Sequence, residues 1–184
     1  MEQRLIDRNA ADLKQIRKLY NSSFPSDERI PFTHLLNTLG KDRIMQAYYE
    51  YEALVGLTVV FLTDDVAYLS YICVEPALQD QGYGTMILKA VMNEYRDYRI
   101  AIDIEESYRD DPDREDRLRR RAFYIRNGFE TTEMYYVFYG VEYELLCFNG
   151  MINWEDWQKT IRKHWGKFAV FARKGKTEQA QKRK

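Results

Sequence analysis

The chain opens on a short strand-like segment at residues 4–6 and then changes period. Leu13, Ile16, Leu19 and Tyr20 recur at helical spacing, with Asn9 ahead of them as a candidate cap. Phe24-Pro25-Ser26-Asp27-Glu28-Arg29 interrupts the pattern. Pro31, tolerated in a first helical turn, then opens a short second helix through Leu35, Leu36 and Leu39 to Gly40. Residues 43–74 are rich in Tyr, Val, Ile and Leu, with turn-like breaks at 50–52 and at Asp64-Asp65, which predicts three successive antiparallel strands. Helical spacing returns over 82–95 through Ile87, Leu88, Val91 and Met92, and Ile100-Ala101-Ile102-Asp103-Ile104 reads as the next strand. That strand-helix-strand order is a crossover, so its two strands run parallel. After a charge-dense stretch at 105–117, a short helix from about Leu118 ends at the left-handed cap Asn127-Gly128. Residues 131–138 and 141–148 form a strand pair about Tyr139-Gly140, and 154–165 forms a closing helix. The expected class is α/β of the α+β kind: a central mixed, mostly antiparallel twisted sheet of about six or seven strands flanked by helices.

Composition narrows this picture. The 184 residues are 45% hydrophobic and 31% charged, which suits one globular domain, expected over 1–166 with a basic tail over 167–184. A net charge of -1 offers no overall attraction for nucleic acid, and no apolar run approaches the roughly 18 to 20 residues that span a bilayer. Cys73 and Cys147 both lie in apolar strand-like runs and read as reduced, buried thiols, which fits a cytoplasmic protein. His34 and His164 lack the spacing of metal ligands, so no metal is expected.

The informative segment runs from Ile72-Cys73-Val74 through Glu75-Pro76-Ala77-Leu78-Gln79-Asp80-Gln81-Gly82-Tyr83-Gly84-Thr85, a strand passing through a turn directly into a helix. Glycines at 82 and 84 let a ligand approach the main chain, and the unpaired N–H groups of a first helical turn favour an anion such as pyrophosphate. The P-loop of nucleotide hydrolases requires Lys-Ser or Lys-Thr after the second glycine, where this chain has Thr85-Met86. A dinucleotide fingerprint requires a third small residue where Ile87 stands.

What remains, Gln79-x-Gln81-Gly82-x-Gly84, resembles the acetyl-CoA pyrophosphate loop of the GNAT acetyltransferases. A second stretch, Arg120-Arg121-Ala122-Phe123-Tyr124-Ile125-Arg126-Asn127-Gly128-Phe129, is similar to the family's later motif, a helix carrying Phe-Tyr followed by Gly-Phe. The resemblance covers most of residues 43–148. It implies a GNAT-like fold, acetyl-CoA bound along Cys73, Val74, Gln79, Asp80, Gln81, Gly82, Tyr83, Gly84 and Thr85, and N-acetyl transfer to a primary amine by direct attack in a ternary complex. It also implies that the Val74 main-chain N–H faces the acyl carbonyl and that Tyr124 protonates the leaving thiolate. The chain departs from the family at Arg117 and Arg120, where Asn and Ala are frequent. These arginines, with Arg119 and Arg121, either meet a phosphate of the cofactor or pair with Asp113, Glu115 and Asp116 on a solvated helix face; the second is the expected arrangement.

An amine of pKa about 10.4 must lose a proton before or during attack, so a base or water relay is needed. Tyr68-Leu69-Ser70-Tyr71, where many members carry a glutamate, has no carboxylate. Asp103 and Glu105 alternate along one strand and so share a face, which makes Glu105 the candidate base and Asp103 a candidate for gathering the amine. Glu28 is a second acceptor-side candidate, because the resemblance places the acceptor beside the first two helices. Cys73 as a nucleophile lacks a neighbouring base and reads as structural. Three roles remain open: amine acetyltransfer, a regulatory module that binds acyl-CoA without efficient turnover, and nucleic-acid association through the basic tail. The tyrosine-rich strands leave a homodimer open as well.

Overall fold

The computed structural model describes residues 1–26, 29–106 and 112–175. Eight strands take the order β1-β2-β3-β4-β5-β7-β6-β8, one or two more than the sequence suggests. They are β1 (Glu2–Leu5), β2 (Arg43–Glu50), β3 (Ala53–Leu62), β4 (Val66–Val74), β5 (Arg99–Glu105), β6 (Glu130–Phe138), β7 (Val141–Phe148) and β8 (Arg173–Lys174). The helices are α1 (Leu13–Ser23), α2 (Phe32–Asn37), α3 (Tyr83–Glu94), α4 (Arg114–Arg126) and α5 (Trp154–Trp165), with 3₁₀ turns at Pro76–Leu78 and Gly166–Phe171. The residues group into two compact units, Met1–Leu62 with Leu69–Glu94, and Thr63–Tyr68 with Tyr95–Lys184.

In the first unit β1 pairs antiparallel with β2, and β2 with β3, through the Tyr51-Glu52 turn, whose two residues both adopt positive φ. Ile16, Leu19 and Tyr20 of α1 are buried, which is the stripe the spacing predicts. Asn9 does not cap that helix. Asp12 stands at the N-cap, and Asn9 closes a tight turn by donating its N–H to Asp7 Oδ1 at 2.7 Å. Tyr48, Val55 and Ile87 form a buried cluster between the strands and α3. Gly56 permits that approach: a Cβ there would lie 2.4 Å from the Cys73 carbonyl oxygen and 2.6 Å from Ile87 Cδ1. A glycine here is therefore a requirement of close packing between β3, the end of β4 and α3.

In the second unit Val66, Ala67 and Tyr68 pair in parallel with Arg99, Ile100 and Ala101, as a crossover requires. β5 continues antiparallel to β7 as far as Glu105↔Tyr143, and β6 and β7 form a hairpin. Tyr139 and Gly140 both take positive φ at its turn, the conformation that matches strand twist in a two-residue loop. Asn153 caps α5 by accepting from the Asp156 N–H at 3.0 Å. α4 begins at Arg114, a turn earlier than expected, because its buried positions include Arg117 and conceal the apolar period. β8, which the sequence does not announce, pairs with β6 at Tyr136 and Val137.

Candidate functional site

The glycine turn belongs to the first unit. β4 ends at Val74, with Ile72, Cys73 and Val74 each half-buried. The Glu75 N–H donates to the Val55 carbonyl at 2.7 Å, and Pro76–Leu78 folds into a 3₁₀ turn. Gln79, Asp80, Gln81 and Gly82 are exposed, whereas Tyr83, Gly84 and Thr85 are half-buried. Asp80 and Gly82 take positive φ, at 59° and 86°. The Gln81 side chain donates to the Ala77 carbonyl at 3.0 Å and braces the turn. Met86 is the first residue of α3 whose N–H reaches back to a carbonyl, that of Gly82, at 3.1 Å. The N–H groups of 83–85 therefore have no intrahelical acceptor. No acidic residue occupies the first turn of α3, and nothing lies within 4 Å of the position a Gly82 Cβ would take. An open main-chain surface at a positive helix end fits a pyrophosphate.

The Cys73 thiol is pushed up to about 11 by burial. It is protonated at neutral pH and unsuited to nucleophilic work.

The second unit holds the other predicted residues on two faces of its strands. Directly opposed residues share a face, so the register places Asp103, Glu105, Tyr143 and Tyr136 together. The opposite face carries Ile102, Ile104, Glu144 and Phe148. Tyr124 of α4 belongs to that opposite side. Its ring packs edge-on against Phe123 at 5.1 Å and Phe129 at 5.8 Å, and Phe129 packs on Phe148 at 5.7 Å. Tyr124 is 4% exposed. Burial raises its hydroxyl well above the usual phenol range; the Arg120 charge opposes that shift and the Asp103 charge adds to it.

Asp103 is half-buried and bound by two phenols. Tyr68 donates to Oδ1 at 2.7 Å and Tyr136 to Oδ2 at 2.5 Å. Burial raises its carboxyl above the ordinary range, while the hydrogen bonds from Tyr136 and Tyr68 hold it down. Trp157 lies edge-on to both phenol rings, at 4.9 Å from Tyr68 and 5.5 Å from Tyr136. Glu105 has a different partner: Arg117 reaches it at 3.4 Å. The solvated-face expectation for the arginines holds for Arg119, which pairs with Asp116 at 3.2 Å, and fails for two others. Arg117 is buried, and Arg121 forms a two-pronged pair with the fully buried Glu144 at 2.7 and 3.0 Å. At positions i, i+4 and i+7, Arg117, Arg121 and Tyr124 form one stripe of α4, so burial of the tyrosine takes the arginines with it.

Glu28 lies outside the described residues. Among the described residues no group of three or more His, Cys, Asp or Glu is placed to hold a metal ion, and no helix is long and apolar enough to cross a membrane. Sequence reasoning names Tyr136 among the strand tyrosines that could line an acceptor groove, and misses that it and Tyr68 both bind Asp103. Their one sequence signal was an aromatic residue on each of two strands, which sheet packing explains equally well.

Residues 41–131 match the family model of the acetyltransferase (GNAT) domain. Solved structures share the fold. A protein of the GNAT family from Bacteroides thetaiotaomicron superposes with a TM-score of 0.76 at 20% identity, over 90% of this chain and 98% of that one. An aminoglycoside 6'-N-acetyltransferase complexed with coenzyme A gives 0.62 at 15% identity, over 80% and 96%. The ribosomal-protein-S18-alanine N-acetyltransferase of Escherichia coli gives 0.59 at 16%, over 84% and 98%. No curated protein matches the sequence.

Proposed function

The chain belongs to the GNAT acetyltransferases, and from that premise we propose that it moves the acetyl group of acetyl-CoA onto a primary amine by direct attack. The observation that carries this reading is the start of α3, where a left-handed Gly82 with open space on its Cβ side adjoins three N–H groups lacking intrahelical acceptors. Bound acetyl-CoA supplies the acyl group as a thioester. Main-chain N–H groups at 83–85 hold the pyrophosphate, and the Val74 N–H serves the acyl oxygen as negative charge develops there. Tyr124 serves the departing sulfur. Its hydroxyl stays protonated across the working range, so it arrives as a donor, and a thiolate of pKa near ~8.5 is stabilised by that hydrogen bond. Glu105, already engaged by Arg117, is better suited to anchoring α4 beside β5 than to accepting a proton.

Free-thiol release with acetyl-CoA and a panel of amines (kanamycin, spermidine and a peptide beginning with alanine) tests the reading. Wild type turns over at least one of them. Tyr124→Phe lowers kcat by roughly 10²-fold at unchanged acetyl-CoA affinity, since its ring packing is kept. Tight acetyl-CoA binding with no thiol release across the panel would instead support a regulatory acyl-CoA-binding module, and absence of acetyl-CoA binding would overturn the reading.

A further inference from the structure

From Trp157 to Gly175, within the second unit, the chain carries six cations and no acid, although its net charge is -1. Charge along α5 is polarised in the same sense: Glu155 and Asp156 occupy the first turn, Arg162 and Lys163 the last. Cations at the end of a helix complement its dipole, which accounts for those two. Arg173 and Lys174 have no such reason, since they form β8, the edge strand of the sheet. Successive strand residues point to opposite faces, so this pair flanks the edge on both sides. Lys159 is taken up by Asp156 at 3.9 Å. Among the described residues, the exposed Arg162, Arg173 and Lys174 make no side-chain hydrogen bond or ion pair.

The same segment exposes apolar groups. Val170 is 68% exposed and Phe171 48%, and Tyr139, at the tip of the β6–β7 hairpin, is 58% exposed. Phe171 stacks on Tyr139 at 4.9 Å, which ties the 3₁₀ turn to the hairpin. Val170 also lines an open cavity of about 450 Å³, together with Ile161, Ala169, Ala172 and the cationic Arg162. Apolar and cationic groups therefore share one surface of the second unit. We propose that this surface docks on an anionic lipid bilayer, lying on it without spanning it. Val170, Phe171 and Tyr139 enter the headgroup layer, and Arg162, Arg173 and Lys174 meet the lipid phosphates.

Charge complementarity chooses the occupant. A second copy of this chain would set Arg173 and Lys174 against their own counterparts, a like-charge contact that destabilises paired strands. Nucleic acid would meet the cations, but it gains from aromatic rings by stacking. Phe171 and Tyr139 already turn one face to each other, and Val170 offers a base nothing to stack on or bond to. A stable protein interface engages about 20 to 30 residues a side, whereas this patch offers three protruding apolar side chains. A bilayer asks only for exposed apolar groups beside unpaired cations, each cation strengthening binding about fivefold near an anionic surface. The register brings Glu142 to the Arg173 side of the sheet, both opposite Val137; half-buried, it offsets one cation. Beyond Gly175 the sequence keeps the same sign, with four cations and one acid over 176–184.

The test floats the full chain with vesicles of phosphatidylcholine alone, or of phosphatidylcholine with about 30% phosphatidylglycerol. The chain rises with the anionic vesicles, stays behind with the neutral ones, and is released as salt goes from about 0.1 M to about 0.5 M. Arg162→Gln, Arg173→Gln and Lys174→Gln together lower the partition coefficient roughly 100-fold. Val170→Ser with Phe171→Ser lowers it at least tenfold at low salt. Both variants change exposed positions and keep the wild-type Tm. Phe171→Trp adds fluorescence that lipids brominated along the acyl chain quench, beyond the quenching seen in wild type, which attraction of residues 176–184 alone would not produce. A chain that ignores anionic vesicles, binds neutral and anionic vesicles equally, or binds undiminished after the two serine changes overturns the proposal. A single-stranded oligonucleotide that displaces the vesicles and still binds the serine variant at full strength overturns it in favour of nucleic acid. A dimer in sedimentation equilibrium that the serine changes dissociate overturns it in favour of a second copy. None of these outcomes bears on thiol release, so the acetyltransfer reading stands or falls separately.

Discussion

The turn before α3 and the Asp103 cluster solve opposite problems. The turn presents main chain: Gly82 and its successors are exposed or half-buried, and no side chain fills the space beside Gly82. The cluster is built from side chains drawn from three strands, with Asp103 separated from Tyr68 by 35 positions and from Tyr136 by 33. The comparison teaches where each kind of chemistry can be altered. A main-chain site is changed by backbone conformation and tolerates varied neighbours, whereas a side-chain site depends on every buried polar group keeping its partner.

The largest effect should come from the side-chain half. Arg121→Ala leaves Glu144, which is 0% exposed, without its cation, and chemical denaturation should show a loss of about 3 to 5 kcal/mol. Restored stability in Arg121→Ala with Glu144→Leu would show that the loss lies in the stranded charge and not in packing. Gly82→Ala tests the main-chain half. No atom opposes the new methyl, so the change acts through the positive φ at a cost of about 1 to 2 kcal/mol, to be read as weaker acetyl-CoA binding by calorimetry with a small change in Tm. Unchanged acetyl-CoA affinity would separate the turn from pyrophosphate recognition.

The smallest effect concerns Asp103 and sharpens the contrast with Glu144. Because the carboxyl of Asp103 is raised in the folded chain, the folded state holds more protons than the unfolded one between the ordinary and raised values. Its contribution to stability is therefore greatest below that window and declines as pH rises through it. Asp103→Asn removes the decline, so its Tm relative to wild type should rise from pH 4 to pH 7. A relative Tm that falls over that range would show that the two phenols stabilise the charge more than burial opposes it.

Much of the architecture was legible because it rests on local periodicity and turn chemistry. The span of α5, the Tyr139-Gly140 hairpin and the Gly128 cap at φ 94° all appear where the residues predict them. β8 was not legible, since two polar residues carry no alternation and are recruited by the edge of β6. The start of α4 was obscured because arginines occupy positions where apolar residues usually mark the buried face. The glycine turn was readable as a motif because close approach to main chain requires glycine at set spacings. The Tyr68–Asp103–Tyr136 contacts were not, because they depend on sheet register between residues far apart in the chain, and a one-residue slip turns a side chain to the other face.

β4 has a practical consequence for cutting the chain. Its first three residues group with the C-terminal unit, and its remaining six with the N-terminal one. A fragment beginning at Tyr95 would carry Asp103 and Tyr136 and lack Tyr68. Such a piece is incomplete by one strand segment and one phenol, which makes a synthetic peptide spanning 63–68 a natural complement for reassembly. Severed at that point, the C-terminal unit becomes a two-part system whose regained fold would report the docking of six residues.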